Sequence, residues 1–206
     1  MLRLTAMQQQ YRIALNNPLH SLVVCTGPAG TGKTMIACKS ALEHLVEKQV
    51  KQVVITKPLV PVEGEDMGFL PGNIRSKMSP WIESYLDIFK EYYPMKQLED
   101  MIQKDVIKLA PLAYCRGNTY TNAFVICDES QNTTPVQMKM LLTRLGKESK
   151  MVILGDMDQQ DRPGASGLSD FTTRYTGGND EIAMVHLSDD DVCRSSLVRY
   201  ILTLYK

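Results

Sequence analysis

The 206-residue sequence predicts an α/β domain, a parallel β-sheet covered by helices on both faces. Three observations predict it. Short apolar runs alternate with longer stretches of helical spacing, the order that builds a parallel sheet wrapped by helices. The runs are continuously apolar instead of alternating in and out, as strands covered on both faces are. A chain of this length can bury roughly 70% of the surface its unfolded form exposes. No disulfide or metal is then needed for stability, and residues 1–206 read as a single domain.

Taken in order, SLVVC, QVVIT, AFVIC, MVILG and IAMVHL read as strands beginning at Ser21, Gln52, Ala123, Met151 and Ile182. TMIACKSALEHLVEK from Thr34, PVQMKMLLTRLG from Pro135 and RSSLVRYILTLY from Arg194 have helical spacing. In the last of these, Leu197, Ile201 and Leu204 share one side, which suits packing on a core. KPLVPVEGEDMGFLPG, from Lys57, is too rich in Pro and Gly for regular structure and too long for an ordinary connection. IRSKMSPWIESYLDIFKEYY then returns to helix. Such a loop is either a tolerated surface excursion or a carrier of function. No internal repeat or low-complexity linker interrupts the pattern.

Composition narrows the functional classes. The 23 basic and 23 acidic residues cancel, which argues against holding nucleic acid through bulk charge and confines any polyanion site to a local patch. The five cysteines, Cys25, Cys38, Cys115, Cys127 and Cys193, are odd in number and never spaced C-x-x-C, as suits a reducing compartment. The start of the chain shows no apolar h-region, and no run approaches the ~18 apolar residues of a membrane span. A soluble cytoplasmic protein is expected. His20, His44 and His186 have no metal-ligand spacing with cysteine or one another.

The chemistry begins with GPAGTGKT, Gly27 to Thr34, after a strand and before a helix. This is G-x-x-x-x-G-K-T in the setting a P-loop requires. Gly27, Gly30 and Gly32 allow torsions and approaches that a Cβ would forbid, so the backbone of Gly27, Pro28, Ala29, Gly30, Thr31 and Gly32 can wrap a phosphate. Lys33 then reaches the β and γ phosphates, and the Thr34 hydroxyl is a Mg²⁺ ligand. In NAFVICDESQN a buried strand runs straight into Asp128 and Glu129, presenting both carboxylates at the carboxyl edge of the sheet. Asp128 is the expected partner of Thr34 at Mg²⁺, binding the ion directly or through another of its ligands. Glu129 is placed to orient or deprotonate a water, which favours hydrolysis over phosphate transfer to a metabolite.

MVILGDMDQQD adds a third strand tipped by Gly155 and Asp156, with Gln159 three residues on. By spacing alone Gln159 could equally cap a turn. The order of P-loop strand, Asp-Glu strand and polar-tipped strand resembles the RecA-like division of P-loop ATPases. That resemblance implies that Gln159 senses the γ-phosphate. From TAMQQQYRIAL through ITKPLV, MGFLPGN, APLAYCRGNTYTNAFVICDESQN and VILGDMDQQDRPGASGL to DDDVCRSSLVRYI, about Thr5 to Tyr205, the sequence is similar to the PhoH-like family, RecA-like ATPases related to superfamily one helicases.

The resemblance implies further roles. Gln8, in T-x-x-Q-x-x-Y, matches the residue that reads adenine, although neighbouring Gln9 and Gln10 leave the register open. CDESQN resembles the D-E-x-Q box of those helicases, so Gln131 either couples nucleotide to the rest of the site or caps the helix near Pro135. Arg116, Arg144 and Arg194 match family arginines and are candidates to stabilise the transferring phosphoryl group, in cis or from a neighbouring subunit. Arg194 could instead pair with the acidic run before it. One RecA-like lobe standing alone implies a homo-oligomeric ring, with a hexamer as the expected form. Two departures stand out: Lys57 precedes Pro58 where the family commonly has arginine, and Arg162 stands where an apolar residue is commoner. The first loses a bidentate fork. RNA or single-stranded DNA is the implied polymer, with Lys57, Arg75, Lys77, Arg116 and Tyr120 as candidate contacts. The functions in play are an ATP-hydrolysing motor on nucleic acid and a nucleotide-dependent switch or assembly module acting on a protein partner.

Overall fold

The computed structural model of the chain describes residues 4–59 and 79–193. Six parallel strands form one sheet in the order β3-β2-β4-β5-β1-β6. They are β1 (Leu22–Thr26), β2 (Gln52–Lys57), β3 (Ile107–Pro111), β4 (Ala123–Cys127), β5 (Lys150–Gly155) and β6 (Ile182–His186). Five lie where the apolar runs put them. The exception is β3, an edge strand that was not expected and that pairs with β2.

The helices are α1 (Ala6–Asn16), α2 (Lys33–Val46), α3 (Ser79–Phe89), α4 (Met95–Gln103), α5 (Pro135–Leu142) and α6 (Gly167–Arg174). Local chemistry fixes their starts. Thr5 caps α1 in a reciprocal pair with Gln8, and Thr134 caps α5 with Gln137, ahead of Pro135 in the first turn. Alternate strand residues then face opposite layers. Val23, Val53, Ile55, Phe124, Ile126, Val152 and Leu154 share one core with side chains of α1 to α4. Val24, Val54, Val125, Cys127, Met151 and Ile153 share the other with α5, α6 and a short 3-10 turn, Leu112–Cys115. Each such burial contributes about 1.5–3 kcal/mol, so both layers are needed to hold the sheet.

Gly167 shows how closely α6 is fitted. A Cβ there would lie 2.4 Å from the Thr134 carbonyl oxygen and 2.8 Å from Met138 Cβ. Gly167→Ala is therefore expected to destabilise the domain by about 1–3 kcal/mol through overpacking, read as a lower denaturation midpoint. An unchanged midpoint would mean that α5 and α6 separate freely.

Because all six strands run the same way, their carboxyl ends share one edge. Thr26, Lys57, Pro111, Cys127, Gly155 and His186 end there, and β5 lies between the P-loop strand β1 and the Asp128 strand β4. This is the P-loop NTPase architecture of RecA-like type, and the site lies where open α/β sheets place ligands.

Candidate active site

The turn after β1 takes the shape that suits a phosphate through its glycines. Gly27, at φ +144°, accepts an approach so close that a Cβ would sit 2.2 Å from the Leu187 carbonyl oxygen, and its N–H donates to Gly155 O at 3.2 Å. Gly32, in a left-handed conformation, starts α2 without a side-chain cap. The first turn of α2 therefore faces the loop with its N–H groups, the positive end of a helix. The Lys33 ammonium curls over the same loop and donates to Gly27 O at 2.6 Å and Pro28 O at 2.8 Å. Burial lowers its pKa, while Asp156, Cys25, Asp128 and Glu129 pull the other way. Thr31 is buried, its hydroxyl on Pro28 O at 2.8 Å.

Thr34 and Asp128 meet directly. The Thr34 hydroxyl donates to Asp128 Oδ2 at 2.9 Å, and Tyr85 donates to that oxygen at 2.8 Å. The other oxygen of Asp128 accepts the Glu129 N–H at 3.0 Å. With its hydrogen directed to Asp128, Thr34 keeps lone pairs for a cation. One hydroxyl and a nearby carboxylate, completed by phosphate and water, are the hard-oxygen set that suits Mg²⁺. Among the described residues no group of three His, Cys, Asp or Glu could form an all-protein metal cage.

Glu129 has a left-handed backbone, φ +52°. Such a conformation costs a non-glycine residue on the order of 1–3 kcal/mol and recurs at functional sites. Its Oε2 accepts from Gln131 Nε2 at 2.7 Å, and the same nitrogen donates to Gln159 O at 3.0 Å. Gln131 Oε1 accepts the Asp156 N–H at 3.2 Å. The buried Gln131 thus bridges β4 and β5, and the cap of α5 is Thr134, not Gln131. Nearby, Asn132 and Asp161 bind each other through two hydrogen bonds, and Arg162 fastens the loop after β5 by donating to Ala165 O and Pro163 O.

A cavity of about 320 Å³ results. Ala29, Gly30, Gly32, Lys33 and Thr34 line it together with Asp128, Glu129, Asp156 and Gln159. Sequence reasoning had singled out Asp156 only as a strand tip. It is buried, and its Oδ2 accepts the Ala29 N–H at 3.1 Å, bracing the P-loop from β5. The repeated pattern of a hydrophobic run ending in Asp, VIC-Asp128 and ILG-Asp156, was the available signal.

Other expected residues lie elsewhere. Gln8 is the inward-facing glutamine, while Gln9 and Gln10 are exposed. Its amide nitrogen donates to Thr31 O and Asp191 O, both at 3.0 Å, and to Cys193 Sγ at 3.1 Å, while its oxygen accepts the Thr5 N–H. The side chain knits α1 to the P-loop, so an adenine contact requires it to exchange one of these partners. Arg144 lies away from the cradle of its own chain. It donates to Asn118 O and Met140 O, beside Tyr120 at the amino edge of the sheet, so the length of β4 separates it from the phosphate cradle. Arg116 is exposed after the 3-10 turn and does not line the cavity. Tyr120 is 5% exposed and packs in the core, which corrects its candidacy as a base-stacking side chain. Arg194, Arg75, Lys77, MGFLPGN and the C-terminal helix lie outside the described residues.

A family model described as "PhoH-like protein" matches residues 2–206. The chain is 41% identical over 204 residues to a PhoH-like protein of Synechocystis sp., covering 98% of this chain and 61% of that protein. It is 42% identical over 200 residues to a PhoH-like protein of Bacillus subtilis, covering 96% and 61%. It therefore spans about three-fifths of the length of these curated relatives. Among solved structures, the large terminase of a thermophilic bacteriophage superposes with a TM-score of 0.55 at 13% identity, covering 98% of this chain and 50% of that one. That likeness is one of fold.

Proposed function

The chain belongs to the PhoH-like family, and on that premise we propose that it is a magnesium-dependent ATP hydrolase. It would work as one domain over residues 1–206, in the cytoplasm, as a ring-forming, helicase-like motor on RNA or single-stranded DNA. The observation that carries the reading is the meeting of Thr34 with Asp128 at 2.9 Å, with Glu129 next in the chain and Lys33 lining the same cavity. Bound at Thr34 and Asp128, Mg²⁺ would neutralise charge on the β and γ phosphates.

The protein's own groups supply the rest. P-loop N–H groups and Lys33 hold the phosphates, and Asp156 stiffens the loop through Ala29. Glu129 takes a proton from the attacking water, its carboxylate steadied by Gln131, and Gln159 at the cavity rim reads the γ-phosphate. No arginine among the described residues lines the cavity. We assign the stabilising guanidinium to Arg116 or Arg144 of a neighbouring subunit, which would make the assembly a ring, proposed here as a hexamer, or else to Arg194.

The test is phosphate release by the chain with and without single-stranded RNA and DNA. The motor reading expects stimulation that weakens steeply with salt. Basal hydrolysis indifferent to both polymers at low salt would overturn it in favour of a switch acting on a protein partner.

A further inference from the structure

We infer that Tyr85 is a positioning residue for the cation site: by donating to Asp128 Oδ2 it holds the carboxylate that orients the Thr34 hydroxyl, and so sets how strongly magnesium tightens nucleotide binding. The inference rests on the nucleotide-binding reading above. Its basis is geometric. Tyr85 comes from α3, far along the chain from both the P-loop and Asp128, and is only 4% exposed. Its α3 neighbours Ile82, Leu86, Ile88 and Phe89 pack in the apolar layer shared with α2. A phenylalanine would fill the same space, so packing alone does not require the hydroxyl. That hydroxyl lies 2.8 Å from Asp128 Oδ2, the oxygen that also accepts from Thr34 at 2.9 Å.

Among the described residues three donors thus fix one carboxylate: Tyr85 and Thr34 on Oδ2, and the Glu129 N–H on Oδ1 at 3.0 Å. The end of an aspartate side chain has a broad torsional preference, so its plane is set by its partners. With the plane set, the Thr34 hydrogen points to Asp128 and its lone pairs point away, toward the phosphate cradle. Remove the phenol O–H and, among the described residues, Oδ2 keeps Thr34 alone, leaving the carboxylate freer to turn and take the hydroxyl with it. Partners that orient metal ligands in this way typically change metal affinity 10- to 100-fold when lost. Because α3 follows β2 and precedes β3 in the chain, the contact also ties the cover over that half of the sheet to the cation site.

Tyr85→Phe, Ile82→Ala and the wild-type chain are titrated with a fluorescent adenosine diphosphate, once with Mg²⁺ and once with chelator. The wild type is expected to bind more tightly with Mg²⁺. In Tyr85→Phe that enhancement falls about tenfold while affinity in chelator is unchanged. Ile82→Ala loosens α3 without touching Asp128; it lowers the unfolding midpoint and keeps the full enhancement. A wild-type enhancement in Tyr85→Phe overturns the inference alone. So does an equal loss of affinity with and without Mg²⁺, which marks the phenol as structural. A folded wild-type chain that binds no nucleotide overturns the parent reading and this one with it.

Discussion

Lys33→Ala is expected to abolish nucleotide binding, with affinity falling at least about 100-fold. The ammonium donates to two carbonyls of its own loop, Gly27 O at 2.6 Å and Pro28 O at 2.8 Å. Phosphate oxygens replace those neutral acceptors with charged ones, and a hydrogen bond to a charged group contributes about 1.5–3 kcal/mol. Two such bonds amount to roughly 3–6 kcal/mol, and about 1.4 kcal/mol is tenfold in affinity. Burial already lowers the pKa of Lys33, so an arriving polyanion would also relieve a strained charge. Equilibrium titration reads the loss, and an unchanged far-ultraviolet circular dichroism spectrum separates it from unfolding. Full affinity in a folded Lys33→Ala chain would show that phosphates are not held at this loop.

Glu129→Gln is expected to bind ATP as well as the wild type and to hydrolyse it at least about 100-fold more slowly, the scale of losing a positioned base. The substitution is nearly isosteric. The new amide oxygen can still accept from Gln131 Nε2, which now donates to Glu129 Oε2 at 2.7 Å, so the bridge to β5 survives. Basicity is what disappears. The left-handed backbone at Glu129 aims this one side chain out of a strand whose preceding residues are buried. Single-turnover phosphate release beside equilibrium binding distinguishes chemistry from affinity. Unchanged turnover would remove the base assignment and leave the cradle intact.

The fold was legible wherever a strand is covered on both faces, because β1, β2, β4 and β5 each then carry an unbroken apolar run, LVVC, VVI, AFVIC and MVIL. The β3 sequence, IKLAP, was not. At an edge it carries Lys108 and Pro111, half-buried positions break its run, and it reads as connection. The α6 sequence, GLSDFTTR, hid for another reason: Gly, Ser and Thr are poor helix formers, and it is held by the Ser166 cap and by packing on α5. Local chemistry placed the P-loop, Asp128 and Glu129, since each is fixed by the strand it follows. Arg144 and Tyr120 could not be placed that way. Which edge of a sheet a loop residue occupies depends on pairing between distant segments. The contacts of Asp156 with Ala29 and of Tyr85 with Asp128 join segments 127 and 43 residues apart, which no local pattern reveals.

The most direct measurement is calorimetric titration of the purified chain with a non-hydrolysable ATP analogue in magnesium. Saturable uptake of one nucleotide per chain, absent in Lys33→Ala, is the expected result. A folded wild-type chain that takes up no adenine nucleotide at millimolar concentration would contradict the assignment of this cradle as an ATP site.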